Sequence, residues 1–216
     1  MAARLRTLIG WVVCSAAILF PAVTTAAPPE EAAERALWAD VDFKISRLQL
    51  ELGFRRLSDR VRAALVAVPR EQFIPEERRA AAYANRPVPI GYGQTISQPL
   101  IVAVMSELLA IEPGERVFEL GTGSGYQAAI LDAMGAQVYS VEIIPELATR
   151  ARQTLDRLGH GDVHTRVGDG YFGWPKAAPF DAIVVTAAAD HVPPPLLQQL
   201  KPGGHMVIPV GSRYAT

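Results

Sequence analysis

Cysteine is almost missing from these 216 residues: Cys14 is the only one. It lies in an N-terminal leader, so the rest of the chain forms no disulfide and no thiolate metal site. Histidine is scarce as well. His160, His164, His191 and His205 are scattered, and the two that stand four apart straddle a Gly-Asp turn, so no metal pair is expected. Basic excess is absent too: the formal net charge is −1, which removes the electrostatic footprint of a nucleic-acid binder. No internal repeat occurs, and no low-complexity segment beyond the leader. Half of the residues are hydrophobic, which fits a globular chain of one domain with an appendage.

Residues 1–27 read as a signal-peptide-like leader, with Arg4 and Arg6, an apolar stretch from Leu8 to Phe20, then Pro21 and Thr24-Thr25-Ala26-Ala27. The small residues suit cleavage after Ala26 or Ala27. The apolar stretch falls short of the roughly 20 residues a membrane span needs, and an uncleaved anchor is the alternative. Val12-Val13 lacks the small residue expected before a lipidated Cys14. The expected location is the periplasm or outside, with no stable membrane contact once the leader is removed. Residues 28–57 are expected as a linker and N-terminal helical segment: Pro28 to Ala39 as linker or frayed helix, Val41 to Leu57 as helix without a clean period. Residues 58–216 are expected as the main domain. Ser58 can cap a helix that buries Val61, Leu65 and Val68, and Pro69 ends it. Tyr83 to Pro89 reads as extended.

The run from Val117 to Tyr126 organises the rest of the chain. An apolar strand stops at Gly121, Gly123 and Gly125, and a helix resumes, which is where nucleotide-like ligands sit. The helix continues from Ala128 to Met134, with Gly135 past its end. A second strand, Gln137 to Val141, ends at Glu142, about 20 positions beyond the first loop glycine; at that spacing a carboxylate can accept both ribose hydroxyl hydrogens. The alternative is a solvated glutamate ahead of a helix from Pro145 to Leu158. Val163 to Val167, Phe180 to Thr186 and His205 to Val210 are strands three to five, with a helix from Pro194 to Leu200 and a turn at Lys201-Pro202-Gly203-Gly204. Asp169 ends the third strand, where it can meet a ligand's base, and Ala187 to Ala189 leave room above the sheet. The fold class is α/β, a doubly wound, mostly parallel sheet. Upstream, Pro89 to Pro99 is a loop leading into a helix with Pro99 at its first position and Ile101, Val104, Met105, Leu108 and Leu109 on its apolar face. Ser97 there is either an ordinary cap or a functional residue.

A dinucleotide loop usually places its third glycine three positions after the second, and a P-loop ends in Lys-Ser or Lys-Thr. Neither occurs here. The two-residue steps resemble the loop of S-adenosylmethionine-dependent methyltransferases, whose ligand carries no phosphate. Ile90 to Pro99, Glu119 to Gln127, Val167 to Gly170, and Leu200 to Gly204 with Ile208 to Gly211 together resemble the protein-L-isoaspartate (D-aspartate) O-methyltransferase family, across about residues 55–212. The resemblance implies a Rossmann-like fold, S-adenosyl-L-methionine as donor, and repair of aged proteins. The reaction it implies is methylation of the α-carboxylate of L-isoaspartyl residues and the β-carboxylate of D-aspartyl residues, after which the ester collapses to a succinimide. Isoaspartyl-containing proteins and peptides are the implied partners of a monomer without metal.

By matching motif, Ser97 takes the place of the catalytic serine, and Thr95, Ile96 and Gln98 are substrate-binding. Glu119, Gly121, Thr122, Gly123, Ser124, Gly125, Glu142, Asp169 and Gly170 are cofactor-binding: Glu142 on the ribose, Asp169 and Gly170 on the adenine side, Gly121 to Gly125 on the methionine portion. A substrate carboxylate is already ionised near neutral pH, so no histidine or lysine base is required. The resemblance also implies further strands after Pro209-Val210-Gly211, without which strand five is an edge, and a cytoplasmic location, against the leader. Rival readings are a same-fold methyltransferase for another carboxylate or a small molecule, a non-catalytic exported binding module and, more distantly, a dinucleotide-dependent oxidoreductase.

Overall fold

Leu37, Trp38, Val41 and Ile45 recur three and four apart, and in the computed structural model, which describes residues 29–211, they form the buried stripe of α1 (Pro29–Arg47). The leader expected at 1–27 lies outside the described residues. The stretch to Ala39, expected as linker or frayed helix, is the first half of this continuous helix. Its exposed side carries Glu31–Arg35 and Asp40–Lys44 ion pairs at i,i+4. Burial of the stripe in the same core as α3 and α4 holds a helix whose composition alone marks it weakly. α2 (Gln49–Leu52) is a single turn closed by Gly53 at φ 78°. α3 (Asp59–Ala67) starts where expected, with Ser58 Oγ accepting the N–H of Val61 at 3.4 Å.

Two 3₁₀ turns, Arg70–Phe73 and Glu76–Ala81, lead to β1 (Val88–Gly91) and β2 (Gln94–Ile96). These form an antiparallel hairpin where the sequence suggests only a loop. Its connection, Gly91-Tyr92-Gly93, has positive φ at all three residues, a conformation that matches the right-handed twist of the flanking strands. α4 (Pro99–Leu108) begins on Pro99 as expected.

The second half alternates β3 (Arg116–Leu120), α5 (Tyr126–Ala133), β4 (Gln137–Glu142), α6 (Pro145–Arg157), β5 (His164–Val167), β6 (Phe180–Val185), α7 (Pro194–Gln199) and β7 (Leu200–Val207). The sheet order is β5-β4-β3-β6-β7, with every neighbouring pair parallel. Strands run outward from β3 through β4 to β5, then return to β6 on its other side. The switch point therefore lies between β3 and β6, whose carboxyl ends carry Gly121 and Thr186, and ligands of open α/β sheets lie at such points. One face of the sheet packs on α1, α3, α4 and α5; the other forms a smaller cluster of Phe118, Val141, Phe180, Ile183, Val185 and Leu196. Covered on both sides, β6 is apolar almost throughout.

β7 begins earlier than expected. Leu200 pairs with Phe180 and His205 with Ala182, so the expected turn at Lys201 to Gly204 is a bulge inside the strand. β5 and β7 border the described sheet. Among the described residues, no helix is long and apolar enough to cross a membrane.

Candidate functional site

After Leu120 the backbone turns through Gly121, Gly123 and Gly125, all at positive φ. At Gly121 the need for glycine is steric: a Cβ would stand 2.9 Å from Thr186 Oγ1. That hydroxyl shares its proton between the carbonyls of Leu120 (2.9 Å) and Gly121 (2.6 Å), tying the exit of β6 to the loop. Four of the five backbone N–H groups from Gly121 to Gly125 are occupied within the fold. Gly121 and Thr122 N–H donate to Val141 O at 2.9 and 3.3 Å, Gly125 N–H to Thr122 O at 2.8 Å, and Gly123 N–H to Glu142 Oε2 at 2.7 Å. A loop in this state, with a carboxylate seated on it, offers no nest of N–H groups to a pyrophosphate.

Glu142 is buried at the tip of β4, and its Oε1 accepts the N–H of Ile144 at 3.0 Å. Each carboxylate oxygen keeps capacity for a further donor. Asp169 lies beyond β5, accepts the N–H of Tyr171 at 2.9 Å, and lines a cavity of about 230 Å³ with Leu120, Tyr171, Ala187, Ala188 and His191. Gly170 packs beneath it: a Cβ there would fall 2.4 Å from Leu120 Cγ. The alanines at 187 to 189 line this space.

A second cleft, of about 40 Å³, is lined by Thr95, Ile96 and Ser97 from the hairpin side and by Thr122, Gly123 and Ser124 from the glycine loop. It has room for little more than one small polar group. Val185 and Ala187 line the larger cavity and Thr186 the smaller, so the two spaces lie on either side of one segment. Ser97 does not cap α4: the residue before that helix is Gln98, and no side chain closes its first turn from that position. Asn85 serves the helix start instead. Its Oδ1 accepts the N–H of Leu100 at 3.1 Å, and its Nδ2 donates to Asp40 Oδ2 at 2.7 Å. Gln98, expected at the substrate, donates through Nε2 to Asn85 O at 3.0 Å and does not line the cleft.

Larger hollows, of about 380 Å³ by Ser58 and Met134 and about 430 Å³ by Asp132 and His164, lie at the amino ends of the strands and touch no motif. Ligand chemistry in this architecture belongs at the other end. His160 Nδ1 pairs with Asp132 Oδ2 at 2.7 Å, and among the described residues no cluster of three or more His, Cys, Asp or Glu side chains is arranged to hold a metal. Thr186, Asn85 and Arg70 shape the site without having been singled out in the sequence. Arg70 Nη2 donates to Ser97 O at 2.7 Å.

Glu142, Gly121, Gly125 and Gly170 stand outside both cavity linings but at the carboxyl ends of the strands, whereas Glu119, expected among the cofactor-binding residues too, is fully buried within β3 and lines neither cavity. Its Oε2 accepts from Ser140 Oγ at 2.5 Å, and Ser140 Oγ shares a second 2.5 Å bond with Thr122 Oγ1, so the carboxyl props the loop from below. Oε1 has no partner among the described residues. Burial pushes this carboxyl up to about 8; the Ser140 bond opposes the shift, and the nearby Glu142 charge adds to it. Unfolded, the group ionises near 4.5. Between those values the unfolded chain releases a proton that the folded chain retains, so this residue's contribution to stability falls as pH rises through that window. Glu119→Gln is therefore expected to gain thermal stability over the parent progressively as pH is raised from about 5 to about 8. Melting curves of both proteins across that range check this, and a difference that does not change with pH refutes it.

Comparison with known proteins agrees with this geometry. A family model described as protein-L-isoaspartate(D-aspartate) O-methyltransferase matches residues 47–216. Protein-L-isoaspartate O-methyltransferase 1 of Cupriavidus necator is 48% identical over 212 residues, which is 98% of this chain and 82% of that protein. Protein-L-isoaspartate O-methyltransferase 2 of Syntrophobacter fumaroxidans is 53% identical over 193 residues, 89% of this chain and 78% of that protein. Among solved structures, a protein-L-isoaspartate O-methyltransferase superposes with a TM-score of 0.67 at 32% identity, covering 78% of this chain and about half (55%) of the solved one. A Plasmodium falciparum candidate for the same activity, in complex with S-adenosyl-L-homocysteine, gives a TM-score of 0.68 at 24% identity, covers 84% of this chain and 85% of its own, and supports the fold. With a glycine loop, a strand-tip carboxylate and a hydroxyl-bearing hairpin meeting at the switch point of a parallel sheet, the chain belongs to the protein-L-isoaspartate(D-aspartate) O-methyltransferase family.

Proposed function

We propose that this chain methylates the α-carboxylate of L-isoaspartyl residues, and the β-carboxylate of D-aspartyl residues, in damaged proteins, with S-adenosyl-L-methionine as donor. The observation that carries the reading is the small cleft, where Thr95, Ile96 and Ser97 face Thr122, Gly123 and Ser124 across a space that suits one carboxylate. The donor supplies an electrophilic methyl group on a sulfonium. Glu142, with lone-pair capacity left on both oxygens, receives the ribose hydroxyls. Gly121 to Gly125 accommodate the methionine portion, and Asp169 stands on the adenine side, at the larger cavity. Occupied loop N–H groups support a ligand without phosphates and speak against a dinucleotide.

Ser97 is the catalytic residue of this reading. Its hydroxyl donates to the acceptor carboxylate and fixes the direction of the attacking oxygen. No base is needed, because the carboxylate is ionised at neutral pH. Thr95 and Ile96 form the acceptor wall, and the narrowness of the cleft limits water around the reacting groups. The methyl ester then closes to a succinimide without further help from the protein.

The test is labelled methyl transfer to an isoaspartyl peptide and to its normal aspartyl twin. Label is expected on the first alone. Equal labelling favours a less selective carboxyl methyltransferase, and binding of S-adenosylmethionine without transfer favours a non-catalytic module. A monomer, as the family resemblance implies, belongs to the same reading, and analytical ultracentrifugation tests it. The leader at 1–27 adds export to this reading, and cell fractionation tests it.

A further inference from the structure

Arg70 opens the first 3₁₀ turn and is 1% exposed. A guanidinium so deep normally has a carboxylate beside it, because an unpaired buried charge is strongly disfavoured. Among the described residues Arg70 has no salt-bridge partner. Its contacts go elsewhere. Nε donates to Ala82 O at 3.0 Å, at the end of the second 3₁₀ turn, and Nη2 donates to Ser97 O at 2.7 Å, just after the hairpin. The planar group lies over the ring of Tyr126, 5.1 Å from its centroid. Tyr126 is the first residue of α5, directly after Gly125, and lines the small cleft beside Ser97. Phe73, at the other end of the same 3₁₀ turn, meets the Tyr126 ring edge-on at 5.4 Å. Arg70 Nη1 and the Tyr126 hydroxyl are both buried without hydrogen-bond partners among the described residues.

One side chain thus ties the segment that leads into the hairpin to the residue that leaves it, and rests on the first residue of the cofactor helix. It also leaves an uncompensated positive charge one residue behind the acceptor cleft. Neither arrangement is needed for packing alone, since an apolar side chain of similar length would fill the space without the desolvation penalty.

We infer that Arg70 is a positioning and acceptor-selecting residue for methyl transfer: its fork fixes Ser97 against the glycine loop, and its charge favours an anionic acceptor in the cleft. The inference rests on the assignment of Ser97 to the acceptor. The two roles separate by chemistry. The fork bonds two carbonyls at fixed geometry, which an ammonium cannot reproduce, whereas the charge survives in lysine. Field strength acts on acceptor binding and so on KM; the set of the Ser97 loop acts on kcat.

Arg70→Met and Arg70→Lys test both roles in the full chain. In the Met variant, binding of S-adenosylmethionine by calorimetry is expected to stay within about threefold of the parent, while kcat on an isoaspartyl peptide falls by at least about 30-fold and KM rises by about tenfold. The Lys variant is expected to recover KM and not kcat. Amide hydrogen exchange at residues 94–98 is expected to speed up in both variants, with residues 137–142 unchanged. The inference is overturned by parental kcat and KM in either variant, by recovery of kcat with lysine, by a loss of donor binding that parallels the loss of turnover, or by unchanged exchange at 94–98. Should the Met variant fail to fold, the Lys variant alone decides. Should the parent itself fail to methylate the isoaspartyl peptide, the proposed reaction falls, and the exchange measurement still decides whether Arg70 sets the Ser97 loop.

Discussion

Glu142→Ala is expected to weaken S-adenosylmethionine binding by about two orders of magnitude. Two ribose hydroxyls donating to a charged acceptor are worth roughly 1.5 kcal/mol each at the low end, and the resulting loss of about 3 kcal/mol is on the order of 150-fold in Kd. A second effect works in the same direction. Gly123 N–H, which now donates to Glu142 Oε2 at 2.7 Å, loses its acceptor, and the loop loses one of its ties to β4. Glu142→Gln is expected to lose less, because the amide oxygen still accepts one hydrogen bond. Calorimetric titration with S-adenosylmethionine or S-adenosylhomocysteine measures the change, and an affinity within threefold of the parent would remove Glu142 from the ribose.

Ser97→Ala is expected to behave oppositely, with donor affinity retained and turnover lost. The serine lines the acceptor side of the cleft and makes no cap for α4, so deleting its hydroxyl leaves the helix start on Asn85. In the proposed reaction what disappears is the group that directs the carboxylate, and misplacement of a reacting atom by about 1 Å costs on the order of 10²-fold in rate. We expect kcat on an isoaspartyl peptide to fall by about that factor with an unchanged Kd for the donor. Unaltered methylation by Ser97→Ala would assign the acceptor to another part of the cleft.

The places of the glycine loop and of Glu142 in the fold were legible because their signals are local. Glycines at alternate positions after an apolar run announce a strand-to-helix turn, and the distance from Gly121 to Glu142 is one βαβ step. Glu119 belongs to the same run of letters, yet it lies in the strand, where side-chain direction follows pairing register; there it points into the core, toward Ser140. Arg70 and Thr186 carry no such signal, since their partners lie 27 and 65 residues away. α1 was obscured by composition: four apolar positions among Glu, Ala and Arg are a weak stripe until a core is there to receive them. The hairpin was hidden by brevity, as strands of four and three residues with Pro89 inside one of them barely establish a period of two. In β7, a Lys-Pro-Gly-Gly sequence that reads as a chain break is absorbed as a bulge.

Asn85 has a significance beyond the helix start that it serves. Isoaspartate arises from asparagine when the following backbone nitrogen attacks the side-chain amide, expels ammonia and leaves a succinimide that water then opens, so each asparagine in a protein is a place where the chain can age. Among these 216 residues Asn85 is the only asparagine. It is followed by Arg86, not by the glycine that would best admit the attack, and its amide is gripped at both ends, by Asp40 and by the N–H of Leu100. Loss of that one nitrogen would set a new carboxylate against Asp40 beside the acceptor loop. Within these 216 residues, exposure to asparagine ageing is thus confined to one clamped position, at the start of α4.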